Sequence, residues 1–231
     1  TTGSEGHVLK GHEDGVTSVA FNPDDTRIVS GSIDTLLKVW DTRTWEEVIT
    51  LPGQDMFEDN CAVFNPDGTR IAYDRSGKGP AIMLLHGGGG KRQEWTEAGY
   101  VRRLLDQFTV LAMDLRGHGQ SDLPSDPAAY TIEKMLQDIL AVADASAIDH
   151  FAIWGMSYGG KVGRYLAVES ERVAKLILIG TPLGLGVSGQ RRREAIDFCA
   201  HWPPILQALH DGTRDLASLS PDDQDFLGRF D

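Results

Sequence analysis

Ser157 stands between two glycines in the stretch Trp154-Gly155-Met156-Ser157-Tyr158-Gly159-Gly160. A serine hydroxyl can attack an acyl carbon when it is held out on a sharp turn from a strand into a helix. Such a turn is strained and brings helix and strand close together, so its neighbours must lack Cβ. The N-terminus of the following helix also favours developing negative charge. A serine here without that context would read as a helix N-cap and nothing more. The apolar run at 151–155 and Gly160 supply the context.

Two further glycine-bearing stretches could serve the same chemistry. One is Leu84-Leu85-His86-Gly87-Gly88-Gly89-Gly90. The other is Asp114-Leu115-Arg116-Gly117-His118-Gly119-Gln120-Ser121-Asp122. Acyl transfer passes through an oxyanion that needs preorganised N–H donors, and glycines let a backbone come close to substrate. The serine also needs a base to take its proton and an acid to orient that base. Downstream of Ser157 the histidines are His201 and His210, and the nearest acids are Asp197, Asp211 and Asp215. All five fall in an amphipathic, helical stretch with no strand pattern.

These residues need elements to hold them. A hairpin is expected at 61–64 and 70–74 around Asn65-Pro66-Asp67-Gly68. Strands are expected at 81–86, 109–114, 151–155 and 173–180, with helices at about 94–107, 131–145 and 157–169. Strand–helix alternation predicts a mostly parallel sheet with helices on both faces, and such sheets carry their chemistry at the carboxyl ends of the strands. All three glycine-bearing stretches lie at such ends.

The first 56 residues have a different rhythm. Residues 9–31 return as 51–73, so that Asn22 maps to Asn65 at an offset of 43. That lies within the ~40–45 residue period of propeller blades. Short strands are expected at 16–21, 27–30, 37–40 and 48–51.

Gly11-His12 and Trp40-Asp41 match the ends of a WD repeat, so residues 8–51 resemble one WD-repeat blade. That resemblance implies a buried polar network of His12, Ser30, Asp34 and Trp40 that fixes the blade. A blade buries its faces against neighbours, so a lone one should be loosely held. From about residue 61 to the end, the three motifs in their order resemble the α/β-hydrolase family. The resemblance implies Ser157 as nucleophile, with the N–H of Tyr158 and that of Gly88, or else Gly89, as the oxyanion hole. It gives His86 a bracing role in its loop, and Asp114, Arg116 and Ser121 the shaping of theirs. His118 is expected to be exposed and idle. The family carries its acid and histidine on two further strands that this sequence does not show.

The expected fold class is therefore α/β, an α/β-hydrolase-type sheet incomplete at its C-terminal end, preceded by a small all-β blade. The expected domains are 1–56 and 57–231, with the start of a lid at 182–231. The expected function is hydrolysis of an ester, lactone or amide through an acyl-enzyme, in a truncated form of weak or no activity. The alternative is a non-catalytic scaffold built on WD repeats. No metal or organic cofactor is expected.

Composition sets the remaining bounds. The chain has 231 residues, 41% hydrophobic and 24% charged, which suits a globular protein. Its net charge of −12 disfavours nucleic acid and anionic membranes as partners. Partners are expected to be a small-molecule substrate and, through the blade, a protein. Cys61 and Cys199 show no metal or redox spacing, so free thiols and a cytoplasmic setting are expected. The chain starts at Thr1, which suggests a processed or truncated product.

Overall fold

A computed structural model describes residues 6–52, 59–181, 215–221 and 224. By packing, the chain divides into one unit of residues 1–182 and a second of residues 183–231.

The first unit opens with a four-stranded antiparallel sheet in the order β1 (Val16–Phe21), β2 (Arg27–Ser32), β3 (Leu36–Asp41), β4 (Glu47–Pro52). These are the four short strands of the expected blade. The polar network is formed. His12 Nδ1 lies 2.8 Å from Asp34 Oδ2, His12 Nε2 lies 2.8 Å from Ser30 Oγ, and Trp40 Nε1 donates to Ser30 Oγ at 2.9 Å.

A six-stranded sheet follows, in the order β10-β9-β7-β8-β6-β5. Its strands are β5 (Asp59–Phe64), β6 (Arg70–Gly77), β7 (Ala81–Leu85), β8 (Thr109–Met113), β9 (Phe151–Met156) and β10 (Val173–Ile179). The β5–β6 hairpin is antiparallel and pairs antiparallel with β8, while β7 to β10 run parallel. Central strands β7 and β8 are buried along their whole length, which explains their unbroken apolar sequence. Met83 and Leu85 pack on one face beneath α3 (Ile132–Ala145) and α4 (Ser157–Glu169). Ile82 and Leu84 pack on the other, with Trp95 of α1 (Gln93–Glu97) and Val101 of α2 (Tyr100–Leu104). The single helix expected at 94–107 is thus two short ones. Gly99, at φ +74, ends the first and starts the second.

The blade does not stand alone. Cys61, Val63, Ile71 and Tyr73 of the β5–β6 hairpin join the core under α3, while Ala62 and Ala72 pack on Val29, Leu37 and Val39 of the blade. The period-two alternation of the hairpin therefore serves two cores. The expectation of a blade without neighbours is corrected on this side. Elsewhere it stays open, with Val48 46% and Ile49 44% exposed on β4.

At the far edge, β10 pairs only with β9 among the described residues, and Ile177 and Ile179 are each 43% exposed. In the second unit, residues 216–218 form a 3-10 turn, with Ser218 N donating to Asp215 O at 2.9 Å.

Candidate active site

The three glycine-bearing stretches meet because strands β9, β7 and β8 are neighbours in the sheet. The chain leaves β7 toward α1 on one face and leaves β9 into α4 on the other. In sheets of this kind ligands bind between two such connections, at the carboxyl ends of the strands.

Ser157 is the first residue of α4 and has φ +48, in the left-handed region that L-residues avoid. The glycines around it allow this. A Cβ on Gly159 would fall on the carbonyl oxygens of Leu85 and His86, and one on Gly155 would lie 2.6 Å from Gly160 N. Gly159 N donates to His86 O at 3.1 Å, tying the helix start to the end of β7. Ser157 is exposed. Its Oγ has no hydrogen-bond partner among the described residues.

The Gly-rich loop faces this turn. A Cβ on Gly87 would lie 3.6 Å from Ser157 Cβ, and one on Gly88 would lie 3.8 Å from Tyr158 Cβ. Tyr158 is the second residue of α4, so its N–H has no acceptor within the helix. Gly89 N–H donates to His118 Nε2 at 3.2 Å, whereas Gly88 N–H donates to no described residue. Of these two N–H groups, that of Gly89 is engaged and that of Gly88 is not, among the described residues. His118 is half-buried and bonded, which corrects its expected idleness; an isolated His-Gly pair in a turn gives no sign of an acceptor role.

His86 is fully buried, and both its nitrogens are used. Nδ1 donates to Gly87 O at 2.7 Å and Nε2 accepts from Leu115 N at 3.0 Å. Burial holds its pKa below the ordinary histidine value, opposed by the Gly87 bond and helped by His118 nearby. Ser121 Oγ donates to Asp114 O at 2.7 Å and accepts from Ala72 N at 3.0 Å. Arg116 is buried, with its Nε and Nη2 on the two carboxylate oxygens of Asp138 at 2.6 and 2.7 Å. Burial raises the Asp138 pKa to about 6, against the lowering by Arg116 and Asn65.

One residue of this framework escaped the sequence reading. Arg92 is fully buried and joins four elements. It donates to Asp74 Oδ2 at 2.8 Å, to Asn60 Oδ1 at 3.2 Å and to Gln120 Oε1 at 2.6 Å, and its Nη1 pairs with Asp114. Its own N–H donates to Asp114 Oδ1 at 2.7 Å. In sequence it belongs to the short polar run Lys91-Arg92-Gln93, which reads as solvated. The usable signal was Asp74 within β6 and Asp114 just past β8, since buried acids require a cation.

His201, His210, Asp197 and Asp211 lie outside the described residues. Asp215 is exposed. The five described histidines are all engaged or exposed: His7 stacks on Trp45, His12 bonds Asp34, His86 and His118 hold loops, and His150 is 63% exposed. Among the described residues no helix is long and apolar enough to cross a membrane, and no cluster could hold a metal ion.

Known proteins share this fold. The model of the alpha/beta hydrolase fold matches residues 80–211, more than half of the chain, and that of the WD domain, G-beta repeat, matches residues 3–41. An uncharacterized protein of Mycobacterium tuberculosis is 40% identical over 114 residues, covering 48% of this chain and 32% of that protein. Epoxide hydrolase 4 of Mus musculus is 30% identical over 50% of this chain and 32% of its own length. The pimeloyl-[acyl-carrier protein] methyl ester esterase of Methylococcus capsulatus is 29% identical over 64% of this chain and 56% of its own. The crystal structure of epoxide hydrolase A from Mycobacterium thermoresistibile superposes with a TM-score of 0.53 at 25% identity, over 62% of this chain and 44% of that one. The chain spans about a third to a half of the length of these proteins. On its match to the fold model and the arrangement of its sheet, the chain belongs to the α/β-hydrolase family, and it carries a WD repeat at its N-terminal end.

Proposed function

We propose that this chain is a serine-dependent hydrolase that cleaves a small-molecule ester, lactone or amide through an acyl-enzyme. Ser157 is the nucleophile, and the N–H groups of Gly88 and Tyr158 are the oxyanion donors. His86, Asp114, Arg116 and Ser121 shape the loops that carry them. The observation that supports this reading is the left-handed Ser157, packed between Gly155 and Gly159 and facing the Gly87–Gly88 backbone. Several relatives are named epoxide hydrolases, but the nucleophile argues for acyl transfer. A serine oxygen that opened an epoxide would form an ether, which water does not readily cleave. The same oxygen on a carbonyl forms an ester, which water can release.

This chemistry asks for no metal or organic cofactor. It does ask for a base, and no described histidine hydrogen-bonds Ser157. The reading therefore includes weak turnover, with His201 and His210 as the histidines to test. A buried free thiol at Cys61 fits a reducing, cytoplasmic setting. A second reading, a protein-binding role for the blade, is favoured by exposed Val48 and Ile49 on β4, its edge strand away from the hairpin.

The test is hydrolysis of p-nitrophenyl acetate. The expected rate is a trace above buffer, below the ordinary enzyme range of ~1 s⁻¹ and upward. Turnover within that range, abolished by Ser157→Ala, would reject the weak-activity part. His201→Gln and His210→Gln would then identify the base. Fast turnover that survives Ser157→Ala would reject Ser157 as the nucleophile.

A further inference from the structure

The two histidines between the Gly-rich loop and the 115–121 loop carry a role that rests on the proposed reading of Ser157 and can be measured apart from it. Residues 87–90 form a tight turn. Gly90 N–H donates to Gly87 O at 3.1 Å, and Gly89 has φ +78, the left-handed third position that such turns use. The central peptide of this turn joins Gly88 to Gly89. With glycine on both sides it is free to turn over, which would exchange the directions of Gly89 N–H and Gly88 C=O. A donor loop built from backbone works only in one of those orientations, because its dipoles must be set before charge develops.

His118 supplies the missing constraint. Its Nε2 takes the Gly89 N–H at 3.2 Å, and its Nδ1 lies 3.1 Å from Arg116 O, so the proton sits on Nδ1. Its ring packs on that of His86 with centroids 5.0 Å apart. His86 in turn holds Gly87 O and Leu115 N. Two imidazoles thus pin successive peptides of one loop to successive residues of the other. We propose that His118 is a positioning residue. By accepting from Gly89 it locks the central peptide and so fixes the loop at Gly88, whose own N–H, on the preceding peptide that His86 and Gly90 hold through Gly87 O, is the donor beside Tyr158.

Two variants of the full chain test this. His118→Phe keeps a ring on His86 and loses the acceptor. His118→Gln places Oε1 at about the reach of Nε2 and keeps an acceptor. Amide hydrogen exchange is read at Gly89, and the rate of Ser157 labelling by a fluorophosphonate is read in parallel. The Gly89 amide should be protected in the parent and in His118→Gln. In His118→Phe it should exchange about tenfold faster, the equivalent of one ordinary hydrogen bond. Labelling should fall roughly tenfold in His118→Phe, less than the loss of a whole oxyanion donor, and His118→Gln should restore it. Unchanged Gly89 exchange in His118→Phe, or no rescue by His118→Gln, overturns the lock. Changed exchange with unchanged labelling overturns its positioning role. If the parent is not labelled at all, while Gly89 exchange follows the acceptor, the lock stands and the reading of Ser157 falls.

Discussion

Thr17 Oγ donates to the carbonyl oxygen of Asn60 at 3.1 Å, and the two residues occupy the same position of consecutive repeats, 43 residues apart. The β5–β6 hairpin therefore packs on the blade where the next blade of a propeller would pack. It is also the first hairpin of the hydrolase sheet. Asn60 faces both ways, since its side-chain oxygen accepts from Arg92. Gly31 marks how close the two sheets come, because a Cβ there would collide with Asn60 O. Gly31→Ala should destabilise the first unit by about 1–3 kcal/mol, the usual range for overpacking. Urea unfolding measures it. A variant as stable as the parent would show that the blade is not docked here.

Strain at Ser157 gives a prediction in the opposite direction. A left-handed φ costs a residue with a Cβ about 1–2 kcal/mol, and glycine escapes that at a smaller entropic cost. Ser157→Gly should therefore raise stability by roughly 0.5–1 kcal/mol, while removing the nucleophile. Thermal unfolding checks the first part and phosphonate labelling the second. A destabilised Ser157→Gly would mean that the turn is not held in this conformation.

His86 should titrate below 6.5, its ordinary pKa, in the folded protein. Burial is the main cause, and an imidazolium would have no acceptor for Leu115 N–H. The sign follows from linkage. The unfolded chain takes up a proton that the folded one refuses, so this contribution to stability is present above pH 6.5 and lost as pH falls below it. The loss is at most about 1.4 kcal/mol per pH unit. Asp138, raised to about 6 by burial, acts with the opposite sign below that pH. The direct readout is the His86 ring itself, by nitrogen chemical shift against pH. A normal titration near 6.5 would contradict the buried, doubly bonded ring.

How far the sequence reached depended on whether a feature was local. The unbroken apolar runs of β7 and β8, the glycines around Ser157 and the 43-residue repeat are each set by nearby residues, and each was readable. Position 99 shows the limit of periodicity. The apolar spacing continues through it, but a glycine free to adopt φ +74 breaks the helix in two. Arg92 and His118 were missed because their partners are distant in sequence. Arg92 meets Asn60, Asp74, Asp114 and Gln120 only once four elements are assembled. His118 becomes an acceptor only when the Gly-rich loop lies 29 residues back against it. The docking of the blade was missed for the same reason. Ala62 and Ala72 look like weak strand residues until a second sheet lies on them.

The most direct test of Ser157 as the nucleophile of an acyl-transfer site is mass spectrometry of the intact chain after hours with excess fluorophosphonate. The predicted result is one adduct, slow to form, mapping to Ser157 and absent from Ser157→Ala. No adduct on Ser157, or equal labelling of Ser157→Ala, would contradict it.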